Sequence, residues 1–449
     1  MKTPGLFVLA VLAGAGPAAA QEQVVTPPPS LVLNNYASVP VGPFGGLEGS
    51  SVAARVSDPS AAWFNPAGLT REDGAQISGS AGVYQYTSVT LNALPNQSAS
   101  FEQLPNFVGF TIKAKKLTLG AALLTTNSWV QETDSQIITP TGLAVERFAY
   151  SGDSSFVQRE FALSAGYYGG GKLRVGGGLS FMLMDLRLVQ SVSDRVAGPT
   201  GLNSLLVTSR LLGDTVDVRA QGGVQYDLAP HWRLGGTIRT PGLTMWKSAT
   251  ITQDGLLDSG PSSQGASVFD ANAALAYDLP WEFQAGVAYV GDRAQFEVDV
   301  SGYTPIAAYA MASTANPIVV YGDSGNNGPP SVVAQPFPGF KTQSVGVTNV
   351  GAGGQLLLFK GRTLLLHGSV AENNSPVGDA DQIFTRSDLL SWTLGVSGSI
   401  KKFLFSVGVN DTGGTANNQK LRNLLSGQTV TTDLNIRTIG LIYSIAYQF

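Results

Sequence analysis

Apolar and polar side chains alternate with a period of two through most of this 449-residue chain. Val216, Val218, Ala220, Gly222, Val224 and Tyr226 interleave with Asp217, Arg219, Gln221, Gly223, Gln225 and Asp227, which gives a strand one apolar and one polar face. Trp232, Leu234, Gly236 and Ile238 do the same against Arg233, Gly235, Thr237 and Arg239, and Phe296, Val298 and Val300 against Glu297, Asp299 and Ser301. The series runs on through Trp392, Leu394 and Val396, through Phe403, Phe405, Val407 and Val409, and through Ile439, Leu441, Tyr443, Ile445 and Tyr447 to Phe449. Each apolar row must meet core or lipid, and each polar row must meet water.

The connections order these strands. Short links are predicted at 113–116, 169–172, 227–231, 291–293, 360–362 and 401–402, and long links near 88–104, 131–155, 191–212, 253–266, 304–340, 374–386 and 412–433. Short and long links alternate strictly if residues 266–290 form one strand through Pro280, although proline lacks the ladder donor and Asp278-Leu279-Pro280 reads equally as a turn. With that strand kept whole the chain is all-β, a transmembrane antiparallel β-barrel of about 14 strands with both termini periplasmic.

Composition favours lipid over water. Charged residues are 13% of the chain, where a soluble domain carries about 25%, yet mean hydropathy is only +0.10 and no stretch past the leader matches a membrane helix. A barrel reconciles these values, because alternate residues face lipid while the others need only be polar. Lys2, the apolar run from Leu6 to Ala15, Pro17 and Ala18-Ala19-Ala20 predict a secretory signal over residues 1–20, cleaved before Gln21. The formal charge of −4 argues against a nucleic-acid partner. With no cysteine and only His231 and His367, neither a disulfide framework, a metal site nor a cofactor is expected.

Between leader and barrel lie two segments. Residues 21–40, with Pro27-Pro28-Pro29, read as an extended periplasmic tail. Residues 41–73 read as a compact hatch, and residues 74–449 as the barrel. The hatch is rich in small side chains and contains Asp58-Pro59-Ser60-Ala61-Ala62-Trp63-Phe64-Asn65-Pro66-Ala67-Gly68-Leu69. Small residues allow backbone to pack closely, and Trp63 beside Phe64 would leave apolar surface in water unless something enclosed them.

From Gly46-Leu47-Glu48-Gly49-Ser50 through that segment, the chain resembles the N-terminal hatch of the FadL/TodX family of outer-membrane transporters for long-chain fatty acids and hydrophobic compounds. The resemblance continues more weakly through Trp232-Arg233-Leu234-Gly235 and Gly286-Val287-Ala288-Tyr289 to the terminal phenylalanine. It implies a fourteen-stranded barrel plugged by the hatch, passive uptake of a hydrophobic small molecule captured at extracellular loops, and lateral release through a gap beside a kinked strand. It places Asn65, Pro66 and Ala67, with Trp63 and Phe64, at the gate. Outer-membrane lipid, detergent-like amphiphiles and the barrel assembly machinery are the further partners expected.

Candidate capture residues follow from apolar loops. Leu202, Leu205, Leu206, Leu211 and Leu212 have spacings compatible with a short amphipathic helix, and Ile306, Tyr309 and Met311 belong to an apolar external segment. Strand extension and loop-on-loop packing explain the same residues without a ligand. Arg219, Arg233 and Arg239 face inward and read as wall ladders with Asp217, Asp227 or Glu160 rather than as ligand anchors. No triad partner for either histidine is visible by spacing, so no enzyme is expected. Two further classes remain open: a general porin for polar solutes, and a structural or adhesive barrel.

Overall fold

The computed structural model describes residues 31–33, 35–72, 74–91, 98–141, 144–198, 201–259, 263–322, 331–359, 363–381, 383–422 and 429–449. The leader, the Pro27-Pro28-Pro29 run and the 360–362 link lie outside the described residues. The wall is a closed antiparallel barrel of 14 strands. These are β1 (Gln76–Leu91), β2 (Ser98–Ala114), β3 (Leu117–Thr141), β4 (Ala144–Tyr167), β5 (Leu173–Gly198) and β6 (Gly201–Ala229). Four interrupted strands follow: β7 (Trp232–Arg239 and Leu243–Asp258), β8 (Ser263–Asp270 and Glu282–Val290), β9 (Ala294–Tyr303 and Ile318–Gly322) and β10 (Ser331–Gln335 and Val347–Leu357). The circuit finishes with β11 (Leu365–Asn373), β12 (Leu389–Ile400), β13 (Phe403–Arg422) and β14 (Thr429–Gln448), and β14 pairs with β1 from Gln448↔Gln76 to Leu434↔Leu91.

The crossing made by residues 266–290 keeps the expected parity, but it is not one strand. The chain leaves the wall at Asp270 and rejoins it at Glu282. In between, Ala274–Leu275 pairs with Ile306–Ser313, which pairs with Phe340–Ser344, forming a three-stranded panel separate from the barrel sheet. Pro280 is the physical reason, since a donor-less residue cannot sit in the middle of a central strand.

Outward rows are apolar over a limited height. On β5, Val175, Leu179, Phe181 and Leu183 are exposed, then Asp185 and Arg187 take over the same face. The change marks one edge of the lipid band. The strands continue far past it: β6 has 29 residues where a membrane crossing needs about 9–11. Several predicted long loops are therefore paired strands. β5 and β6 stay in register from Leu173↔Tyr226 to Gly198↔Gly201, so the Leu202–Leu212 stretch is strand and not the expected helix. From Ser204 on, the stretch is paired with a neighbouring strand on each side, which a short isolated helix in water would not achieve.

Inside the barrel, at the end carrying the short turns, sits the hatch. Its ordered centre is α1 (Ala61–Phe64) followed by a 3-10 turn (Pro66–Arg71), with nearly every residue buried. Residues 31–33 and 35–40, expected in a periplasmic tail, instead thread the lumen. Leu31, Val32 and Leu33 are buried in it, Val32–Leu33 pairs with Thr385–Arg386, and Ser38 donates its N–H to Thr126 O at 2.9 Å. Three apolar cells stack along the axis: one around the hatch, one filling the middle lumen, and one among the hairpins at the far end. Each fully buried Leu or Phe side chain in them contributes about 1.5–3 kcal/mol relative to exposure.

Candidate functional site

Asn65 organises the hatch turn. Its side-chain oxygen accepts from Ala67 N at 3.2 Å, and its amide nitrogen donates to Ala53 O at 2.7 Å and to Val224 O of β6 at 2.9 Å. One side chain thus caps the 3-10 turn, ties two parts of the hatch together and fastens both to the wall. Pro66 begins the turn, where its missing donor costs nothing. The wall comes so close that only glycine fits: a Cβ on Gly176 would lie 2.4 Å from Pro66 C, and one on Gly223 would lie 2.2 Å from Asn65 Oδ1. Close hatch contact accounts for part of the glycine run on β5.

Charged and amide groups complete the seat. Trp63 donates its indole N–H to Glu160 at 3.1 Å, while Arg239 stacks over the same indole and bonds to Trp63 O and Glu282. Arg71 pairs with Asp227 at 2.7 Å. Glu48 pairs with Arg55, whose guanidinium also reaches Glu297 at 3.1 Å. Burial works against a charge on Glu48, but Arg55 and His367 hold its carboxyl below the usual range. Asp58, by contrast, is pushed up to about 6 by burial, against hydrogen bonds from the Ser60 hydroxyl and N–H. A cavity of about 110 Å³ remains beside Trp63 and Phe64, bounded by Arg239, Glu282 and Tyr303.

No triad partner for His367 is visible by spacing, and the structure brings two polar groups to it from distant parts of the chain. Its Nδ1 lies 2.7 Å from Glu48 Oε1 and its Nε2 lies 2.7 Å from Ser397 Oγ. The order resembles a Ser-His-Glu relay, but all three groups are buried and Glu48 is shared with Arg55. The network stitches hatch to wall. Of the inward arginines, Arg233 pairs with Asp227 as expected, whereas Arg219 and Arg239 converge on Glu282, an acid outside the expected ladder set of Asp217, Asp227 and Glu160.

Above the hatch the lumen is apolar. Met182, Met184, Leu186 and Leu188 of β5 point inward, and Trp129, Phe156, Leu211, Ile251, Tyr277, Leu279, Met311 and Phe340 meet them. Barrel interiors are usually polar and watery. One signal in the sequence marked this: Phe181-Met182-Leu183-Met184 is apolar on both faces, unlike the alternating strands.

The capture candidates separate accordingly. Leu211 and Met311 line the middle lumen, with Tyr309 packed against it. Leu205 joins Phe148, Tyr150, Val207 and Ile318 in the far cell. Leu202 and Leu206 are exposed on the outer face of β6, Leu212 lies on that same outward face, and Ile306 sits at the start of the panel, half-buried. No single loop cluster unites the eight residues.

The wall parts in two places. β3 carries a bulge between Thr125 and Asn127, and its pairing with β2 stops at Leu124↔Phe107 while both strands run on. β7 and β8 pair below Arg239↔Glu282 and above Ile251↔Asp270, and separate in between.

Neither protein-family models nor curated proteins match this chain. Solved structures do. A Pseudomonas aeruginosa FadL homologue superposes with a TM-score of 0.59 at 12% identity, over 92% of this chain and 100% of that one. The Pseudomonas putida toluene transporter TodX gives 0.57 at 12% identity, over 92% and 99%. The chain has the FadL/TodX fold. The Ralstonia pickettii toluene transporter TbuX, at 0.51 and 13% identity over 91% and 98%, extends the likeness. In FadL-like terms this is a barrel of outer-membrane type, and among the described residues no helix is long and apolar enough to cross a membrane.

Proposed function

We propose that this protein is a passive outer-membrane channel for hydrophobic small molecules, long-chain fatty acids or hydrocarbons, and not an enzyme. The observation that carries the reading is the apolar lumen above a seated hatch. A channel for polar solutes would waste such a lining, because desolvating a polar group against it costs several kcal/mol without a partner. Membership of the FadL/TodX family is supported by the fold and the hatch segment together. The neighbours' own cargo, toluene for TodX and TbuX, points the same way.

On this reading the leader directs export, the assembly machinery inserts the barrel, and both termini face the periplasm. Cargo meets the far apolar cell at Leu205, passes Leu211, Tyr309 and Met311, and leaves sideways past the hatch beside the bulged β3. Asn65, Pro66 and Ala67, with Trp63 and Phe64, form the gate. Only the gradient and downstream consumption drive the flow. Uptake of radiolabelled oleate and toluene by cells carrying an Asn65→Ala/Pro66→Ala variant tests the gate. A large fall is expected with the barrel still folded; uptake at the unmodified rate rejects the assignment.

A further inference from the structure

The parting between β7 and β8 has features that ordinary strand irregularity does not explain. The pairs Arg239↔Glu282 and Ile251↔Asp270 belong to one register. Residues 240–250 and 271–281 are therefore matched in length, and no insertion forces them apart. Carried across the gap, that register sets Pro241 opposite Pro280, so the ladder lacks a donor from both sides at the same level. Arg219, reaching in from β6, supplies donors instead: its Nε bonds to Thr240 O at 2.9 Å and its Nη2 to Pro280 O at 3.4 Å. One guanidinium holds both lips.

Above this latch the lips diverge. Residues 243–248 of β7 are exposed on both faces, with Leu243 at 68%, Met245 at 65% and Trp246 at 53%, values that leave no room for a strand alongside. Leu243 and Trp246 pair with Val218 and Val216, the last apolar outward residues of β6 before Asp214. The opening thus begins at the edge of the lipid band. Behind it, residues 271–281 fold inward as a flap. Leu275 reaches Gly213 of β6, Leu279 reaches Gly242, and both belong to the apolar cell of the middle lumen. The one backbone bond from flap to lip that the structure records is Ala273 N to Ala249 O at 3.0 Å. Apolar side chains thus stand on both sides of the parting: Leu275, Tyr277 and Leu279 on the flap within the luminal cell, and Leu243, Met245 and Trp246 on the exposed lip.

We propose that the β7/β8 parting is a side port for apolar molecules, lined by the 271–281 flap, latched at its base by Arg219, and sealed only when the flap zips onto β7. It is separate from the β2/β3 parting and rests on the reading of the barrel as a hydrophobic channel. A molecule in the lumen needs to displace only side-chain contacts of Leu275, Tyr277 and Leu279 to reach lipid, with few backbone bonds to break.

The chain has no cysteine, so introduced thiols report without background. In the continuous register Lys247 faces Ala274, so a Lys247→Cys/Ala274→Cys pair traps the zipped state. An Ala274→Cys/Ser313→Cys pair, paired in the structure, shows that oxidant reaches the flap. Oxidation of the first pair is expected to lower uptake of tritiated oleate or toluene at least about threefold, with recovery on reduction. Met245→Asp, at a lip residue with little packing to lose, is expected to lower uptake without changing the heat-modifiable folded band. The port is overturned if the first pair fails to oxidise while the second does, or if uptake is unchanged by the trapped disulfide. If the unmodified protein carries neither probe above empty cells, the channel reading itself fails, and the port with it, before any cysteine is introduced.

Discussion

At Gly176 and Gly223 one methyl group separates a seated hatch from a displaced one. The nearest hatch atoms would stand 2.2–2.4 Å from an added Cβ, and they are backbone or a side chain already committed to three bonds. Overpacking of this kind costs about 1–3 kcal/mol. A Gly176→Ala/Gly223→Ala variant should fold as a barrel but release the hatch, read as faster proteolysis between residues 41 and 72. Asp58 gives a pH signature. Its folded value of about 6 lies above the 3.8 of a free side chain, so its protonated form is favoured in the fold. Its contribution to hatch stability is therefore complete below about pH 4 and lost as pH rises through 6. Hatch unfolding followed by hydrogen exchange should be slower at pH 5 than at pH 7.5, and Asp58→Asn, which keeps an acceptor for Ser60, should flatten that difference. A native protein insensitive to pH in this window would reject the assignment.

At the scale of the element, β5 shows how one strand serves two solvents. Its outward row of Val175, Leu179, Phe181 and Leu183 meets lipid, and its inward row of Met182, Met184, Leu186 and Leu188 builds the apolar lumen. Met184→Lys places an unpaired charge in that lining, whose desolvation is expensive. It is expected to reduce hydrophobic uptake at least about fivefold while the outward row still inserts the barrel; unchanged uptake would remove the lumen from the path. The hairpins teach a related lesson. Leu202 to Leu212 carry spacings that fit a helix on paper, but a strand already committed to pairing on both sides continues past the membrane because each added residue finds backbone partners. Local spacing has no access to that neighbour.

At the scale of the molecule, the hatch is what separates the proposed hydrophobic channel from a porin. Bonds from Arg55, Trp63, Asn65 and Arg71 join it to the wall at several strands. The intact protein should conduct ions weakly in a planar bilayer, and a chain lacking residues 21–72 should form large, steady channels; strong conductance from the intact protein would favour a porin. Alternation, link parity and the low charge content were enough to read a barrel of about 14 strands, since side-chain period and lipid exposure are local properties of each strand. The hatch motif was legible for the same reason, as a short run of small residues around two aromatics. What remained hidden were contacts between residues far apart in the chain: Glu48 with His367, Arg219 with Thr240 and Pro280, Leu31 with the middle lumen. Pro280 announces a disturbance, but only the closed barrel brings it, with Thr240, to the Arg219 guanidinium and turns a strand break into a parting of the wall. Periodicity belongs to the strand and is written in its own residues, whereas partnership depends on which strands the closed barrel makes neighbours.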